Sequence, residues 1–389
     1  MFSSRTDWDF RSSPLFSLLQ QKRSRGEEII DLTESNPTKC GFVHQPHQLI
    51  DIESLQRSAQ YDPDPRGLLS AREAIAQWYG RQQIEIDPAQ IILTSSTSEA
   101  YFYIFRLLCN LGEDVAVPRP SYPLFEYLGR LMDVVCKHYD WKYDSEWHID
   151  AHSAKELIES RIKAFVLVHP NNPTGSFVKK EEREYILSAA KIHHVPLVVD
   201  EVFHAFPIER DERRAPSFAG TKEVLTFTLN GLSKLVGLPQ MKLAWIVVSG
   251  PGDGTVKALQ RLDVIADTFL SVGTPVQHAL SSLLNDHAGM TKQILNRVRS
   301  NFGLLSRFIS SGSAATLLQC EGAWNAILRL PATKSDEEWA QELLEKHGVL
   351  SHPGHLFDLE MKSCIVVSLL TEPQVVHRGL GRILMALGE

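Results

Sequence analysis

Cysteine is scarce in this chain of 389 residues. There are five, an odd number, spread as Cys40, Cys109, Cys136, Cys320 and Cys364 with no CxxC spacing. That excludes a disulfide-stapled scaffold and a four-cysteine zinc site. Long apolar runs are missing as well: the longest cover about five residues, far short of the ~20 needed to cross a bilayer. The segment around Arg5, Asp7 and Asp9 has no apolar signal-peptide centre, which points to the reducing cytoplasm. A basic excess is also absent, since 40 basic and 47 acidic residues leave a net charge of −7. Nucleic acid is therefore not an expected partner. With 43% hydrophobic and 22% charged residues, the composition excludes disorder. No repeat and no low-complexity linker interrupts the chain.

What is present is an alternation of short β-rich runs and amphipathic helical stretches. Ile91 to Leu93, Val115 to Val117, Ala164 to Val168, Val195 to Val199, Val224 to Leu229 and Leu243 to Val248 are apolar on consecutive residues. Strands covered on both faces read this way. Helical patterns fall at Ser70 to Tyr79, Glu99 to Leu108, Pro123 to Met132 and Glu181 to His193. The expected fold class is therefore α/β, a mostly parallel central sheet sandwiched by helices. Beyond about residue 290 the texture changes. A long helix over Lys292 to Ser310, a strand at Ala323 to Leu328, a helix over Asp336 to His347, a strand at Ile365 to Leu370 and a closing helix from Pro373 suggest a smaller α+β domain. The expected division is a large domain over 48–288 and a small one from 1–47 and 289–389, with the N-terminal residues wrapped around the latter.

Four loops follow expected strands, and ligands of open α/β sheets bind beyond the carboxyl ends of strands. Ser96, Thr97 and Ser98 stand at a helix start, where free backbone N–H groups and hydroxyls can hold a phosphate; the same residues also serve as ordinary N-caps. The loop from Asn171 to Gly175 has turn chemistry, yet its two asparagines offer directed amide donors. Asp200 leaves an apolar strand partly desolvated, which suits either a buried ion pair or a functional carboxylate. Ser233-Lys234 follows the next strand. A lysine in a partly apolar pocket has a lowered pKa and can act as a nucleophile, whereas most lysines are solvated at the surface.

Taken in order, the Asn171-Asn172-Pro173-Thr174-Gly175 loop, the Asp200-Glu201-Val202-Phe203 strand end, Ser233-Lys234 with Gly237-Leu238-Pro239, and Tyr61 to Gly67 ahead of Ala71 to Ala76 form a set. This set resembles the pyridoxal-phosphate enzymes of aspartate-aminotransferase fold, aminotransferase class I and II, from about Leu32 onward. The resemblance implies fold type I and pyridoxal 5′-phosphate as cofactor. Lys234 would form the Schiff base and move protons, Asp200 would keep the pyridine nitrogen protonated, Asn172 would donate to the ring's 3-oxygen, and Tyr122 would stack on the ring. Ser96, Thr97 and Ser98, with Ser233 beside Lys234, would complete the cofactor's surroundings. Tyr61 would reach the phosphate in a neighbouring subunit, making the protein a homodimer. The implied reaction moves an amino group from an amino acid to a 2-oxo acid through pyridoxamine phosphate. A carbon–sulfur β-lyase acting on cysteine conjugates shares the cofactor and is the alternative; a non-catalytic pyridoxal-phosphate-binding regulator is a third reading.

Four positions depart from the family pattern. Lys242 stands where an arginine usually holds the phosphate, keeping the charge without the bidentate fork. Phe203 replaces a tyrosine that donates to the 3-oxygen, so the Schiff base should have a raised pKa. Gly231 replaces a hydroxyl three residues before the lysine. Near Val366, where an arginine should grip the substrate carboxylate, there is no basic residue. Arg66, His352, His355 or Arg378 would have to substitute, or the substrate lacks that carboxylate.

Overall fold

The computed structural model describes residues 1–10, 13–43, 49–285, 287–309 and 312–389. The chain opens with helix α1 (Pro14–Ser24) and the short strand β1 (Ile30–Asp31), then α2 (Ile52–Arg57) and α3 (Leu69–Gly80). Strand and helix next alternate: β2 (Ile91–Thr94), α4 (Thr97–Leu108), β3 (Asp114–Arg119), α5 (Phe125–Met132), the hairpin β4 (Val135–Asp144) and β5 (Glu146–Ile149), α6 (Ala151–Glu159), β6 (Phe165–Val168), α7 (Lys180–His193) and β7 (Leu197–Asp200). Then come β8 (Thr226–Gly231), the single turn α8 (Leu232–Leu235), β9 (Ala244–Ser249), α9 (Gly252–Phe269) and α10 (Thr274–Asn285).

These strands form one eight-stranded sheet in the order β2-β9-β8-β7-β6-β3-β4-β5. The run from β8 to β4 is parallel, while β9 lies antiparallel to both β2 and β8, and β5 is antiparallel to β4. All six apolar runs read from the sequence are in it. Every residue of β2, β6, β7, β8 and β9 is buried, as a sheet covered on both faces requires. The sheet's far edge behaves differently. Strand β4 carries Lys137, His138, Asp140 and Lys142 on a largely exposed ribbon, and Ser145 turns the hairpin at φ 64°. Its periodicity is that of a half-solvated strand, and it was not legible as a buried one. The Gly250 to Gly254 stretch is the exposed turn that opens α9.

The remaining elements are α11 (His287–Phe308), β10 (Thr316–Leu317), β11 (Asn325–Arg329), α12 (Asp336–His347), β12 (Val349–Leu350), β13 (His352–Pro353), β14 (Cys364–Ser368) and α13 (Pro373–Leu387). The long helix starts one turn earlier than its hydrophobic pattern, and Ser310, its expected end, lies outside the described residues, as does the expected 47/48 boundary. Helix α12 matches its expected span because both ends are marked locally. Ser335 and Glu338 form a capping box, and Gly348 ends the helix at φ 65°.

A second sheet, β10-β11-β14-β13, presents two faces. Ala326, Leu328, Ile365 and Val367 pack with α11 and α13 through Ile294, Val298, Leu380 and Ile383. Ile327, Cys364 and Val366, on the other face, join Phe357 in the core shared with the large sheet. The N-terminal segment divides between the surroundings of the two sheets. Helix α1 packs on α12 through Leu15 and Leu19 against Ala340 and Leu344, and β1 pairs with β12. The first ten residues do not follow it. Arg5 pairs with Asp133 at 2.6 Å, and Trp8 meets Tyr127 edge-on at 5.8 Å, both at α5 beside the large sheet. No helix among the described residues is long and apolar enough to cross a membrane.

Candidate active site

The carboxyl ends of β6, β7 and β8 and the N-terminus of α4 open onto a cavity of about 510 Å³, closed on its other side by Trp324, Asn325 and His352 next to or within β11 and β13. Of the residues singled out from the sequence, Thr97, Ser98, Tyr122, Asn172, Asp200, Phe203 and Lys234 line it.

Asp200 ends β7, where the strand's hydrogen bonding holds the carboxyl inside the protein. Burial pushes its pKa up to about 6, against the pull of the Val202 N–H (3.1 Å), the Tyr101 hydroxyl (3.2 Å) and Lys234. Glu201, its neighbour, is spent on structure: it accepts from Ser217 Oγ at 2.6 Å and the Phe218 N–H at 2.7 Å. Lys234 sits on α8, directly after β8. Burial lowers its pKa, with Asp200 opposing, and its Nζ lies 4.9 Å from the Trp324 ring centroid and 5.5 Å from that of Phe203. Desolvation thus favours the neutral form of both groups, an amine able to attack and a carboxyl that invites a cation.

The two asparagines have separate duties. Asn171 is fully buried, donating to the Pro120 carbonyl at 3.1 Å and accepting from the Thr174 hydroxyl at 2.9 Å, so it shapes the loop. Asn172 faces the cavity, and its Oδ1 accepts from Asn325 Nδ2 at 2.7 Å. With the oxygen occupied, the amide N–H₂ is oriented to donate. At α4 the serine loop divides. Ser96 is the N-cap, accepting from the Glu99 N–H at 3.2 Å, while Thr97 and Ser98 present their side chains and the helix's first turn to the cavity.

The other expected residues stand elsewhere. Ser233 is half-buried and outside the cavity lining. Lys242 is exposed at φ 51° after the Pro239–Met241 turn, away from the lining. Tyr61 is 76% exposed and borders a separate cavity with Asp62, Asp64 and Tyr103. Sequence reasoning missed Tyr101, Asn325 and Trp324. Tyr101 could have been found, since it lies three and four residues after Ser98 and Thr97, on the same helix face. Asn325 and Trp324 arrive from the second sheet and carry no local signal.

The donor set fits pyridoxal phosphate: a desolvated lysine, a buried carboxyl for a ring nitrogen, an oriented amide for a ring oxygen, and a helix N-terminus for a phosphate.

Residues 27–383 match the family model of aminotransferase class I and II. The glutamate–pyruvate aminotransferase AlaA of Haemophilus influenzae is 27% identical over 90% of this chain and 88% of its own length. The tyrosine aminotransferase of Mus musculus is 25% identical over 92% and 80%. Among solved structures, the alanine aminotransferase of Pyrococcus furiosus superposes with a TM-score of 0.88 over the whole of both chains at 22% identity. An aspartate aminotransferase double mutant from Thermus thermophilus gives 0.85 over the whole of both chains at 21%. The fold is thus that of the fold type I aminotransferases, and the chain belongs to the aminotransferase class I and II family, an enzyme family that works with pyridoxal phosphate.

Proposed function

We propose that this aminotransferase takes the amino group of an α-amino acid and delivers it to a 2-oxo acid, with pyridoxal 5′-phosphate held between Lys234 and Asp200. The observation that supports this assignment is the meeting of those two side chains, an amine and a carboxyl both destabilised as ions by burial, in one cavity at the sheet's carboxyl edge. When bound, the cofactor supplies an electron sink for the carbanion at the substrate's Cα. The protein's part is to hold and to move protons. Asp200 would keep a proton on the ring nitrogen, and its own preference for neutrality means it gains most from a cationic partner. Asn172, fixed by Asn325, would donate to the ring oxygen. Tyr122, 53% exposed at the cavity mouth, would cover the ring face. Thr97 and Ser98 would hold the phosphate at the start of α4, with Lys242 adding charge from the surface. Lys234, partly neutral through desolvation, would bind the cofactor covalently and then carry the proton from the substrate's Cα as general base and acid.

Tyr61 lies outside this cavity, so a role at the phosphate requires a second copy of the chain. We assign the enzyme as a homodimer in which Tyr61 of one subunit completes the site of the other. The five cysteines are free, in keeping with the cytoplasm.

The test uses purified holoenzyme with single amino donors and no acceptor. Release of 2-oxo acid in one equivalent per site, resumed on adding a second 2-oxo acid, is the expected result, and Lys234→Ala should lose both this and the visible absorbance of the bound cofactor. Catalytic ammonia release from a cysteine conjugate would identify a β-lyase instead.

A further inference from the structure

A carboxylate entering this cavity meets walls built from Phe125, Phe203, Trp324, Leu356 and Phe357, where it would lose its water. Such an anion needs a charged or strongly donating partner. Besides Lys234, the lining holds, among the described residues, one side chain able to become a cation, His352. The other candidates are engaged elsewhere. Arg66 forks onto Asp263 at 2.5 and 2.6 Å, Arg378 pairs with Glu28, and His355 Nδ1 lies 2.9 Å from Asp336.

The sheet register gives His352 its place. Strand β13 runs antiparallel to β14 and sets His352 opposite Val366, while β11 sets Ile327 opposite Val366 from the other side. Residues directly opposite on antiparallel strands share a face. That face is turned toward the large sheet, as Val366, Ile327 and Phe357 in the shared core demonstrate. His352 packs edge-on to Phe357 at 5.8 Å, and neither ring nitrogen has a hydrogen-bond partner among the described residues.

We infer that His352 receives the substrate's carboxylate, and that the cavity selects amino acids and 2-oxo acids with one carboxylate and an apolar side chain. The identity of the ligand rests on the aminotransferase reading above; the place of the carboxylate rests on the cavity alone. An imidazolium offers a charged N–H, and the ring is free to turn one toward the anion. With His352 engaged and Lys234 committed to the cofactor and the reacting amine, a second carboxylate would face, among the described residues, aromatic and aliphatic walls, neutral amides or hydroxyls, and the carboxyl of Asp200. Unlike a guanidinium, the imidazole must take up a proton to serve. Burial holds its pKa below the usual range, and the charged group felt there is Asp31 on β1, which favours the protonated ring. From α12, Asp336 is already taken by His355. Lys234 shares the cavity. Carboxylate binding should therefore be coupled to protonation of His352.

The experiment is calorimetry of the holoenzyme with sodium 3-phenylpropionate, a carboxylate that cannot react, at pH 6 and pH 8 in buffers of different ionisation enthalpy. Binding roughly tenfold tighter at the lower pH, with proton uptake approaching one per site at the higher pH, is expected. His352→Gln should weaken binding at pH 6 by about tenfold and flatten the pH profile. His352→Arg should restore binding at both pH values, which a merely structural histidine would not allow. Glutarate should bind roughly tenfold more weakly than 3-phenylpropionate. Undiminished, pH-dependent binding by His352→Gln, or no binding by the unaltered enzyme, overturns the carboxylate assignment. Equal affinity for glutarate overturns the selectivity. These outcomes are separate from the amino-transfer assay: an enzyme that moves no amino group can still bind the carboxylate, and one that does can still ignore His352.

Discussion

Replacing Asp200 by asparagine should stabilise the cofactor-free protein while destroying the enzyme. The buried carboxyl of Asp200 has a pKa of about 6 against an ordinary 3.8. Below the ordinary value the carboxyl is protonated in both the folded and unfolded chains, and it contributes no pH dependence. Between the two values the folded protein keeps a proton that the unfolded chain releases, so stability falls as pH rises. Above about 6 the penalty is fully present. At about 1.4 kcal/mol per pH unit it amounts to roughly 3 kcal/mol, with the attraction of Lys234 already included. Asparagine has the same shape, never ionises, and can still accept from the Val202 N–H. Urea unfolding of cofactor-free wild type and Asp200→Asn at pH 4 and pH 8 reads the difference. The variant should gain up to about 3 kcal/mol relative to wild type at pH 8, most of it absent near pH 4. With pyridoxal phosphate present the ordering should reverse, because the ionised carboxyl then has a cation to hold. A difference between variant and wild type that is the same at both pH values, or a variant less stable than wild type at pH 8, would refute the claim that burial strains this carboxyl.

Two further experiments test the packing before Lys234 and the assignment of Tyr61. Restoring the family's hydroxyl by Gly231→Ser would put a Cβ 2.8 Å from that of Ala244 and 2.9 Å from its Cα. Such overpacking should cost about 1–3 kcal/mol in urea unfolding, with only partial relief in Gly231→Ser/Ala244→Gly because backbone contacts remain; a neutral effect would show that the strand pair can separate freely. Co-expression of Lys234→Ala and Tyr61→Ala chains tests the dimer. Both parents should be weak or inactive, whereas a mixed dimer contains one site with both residues intact, so activity should reappear in the mixture, and its failure to do so would place Tyr61 outside the neighbouring site.

The parts of this protein that were legible in the sequence share a physical property: their causes are local. Apolar runs covered on both faces identified the central strands, and the capping box with Gly348 marked both ends of α12. Strand β4 was hidden because a half-exposed strand rich in charge, one place in from the sheet's edge, lacks the apolar signature of the interior. The same division runs through the site. Asp200 ends β7 and Lys234 follows the end of β8 within one helical turn, so motif and geometry coincide. Ser96 turned out to be a cap because only the structure shows which oxygen the Glu99 N–H has chosen. Asn325 orients Asn172 from more than 150 residues away, a distance that no local pattern can span.

The departures from the family's pattern then acquire different meanings. Gly231 is imposed by Ala244, the residue paired with it across β8 and β9, so the absent hydroxyl reflects strand packing. Val366 has another cause. Its side chain is consumed by the core joining the two sheets, and its cross-strand partner His352, one of four substitutes legible in the sequence, is the one that lines the cavity. An arginine on β14 would have to push a guanidinium through that core. Moving the cation one strand outward leaves the core apolar, and the consequence is a carboxylate site whose charge depends on a proton.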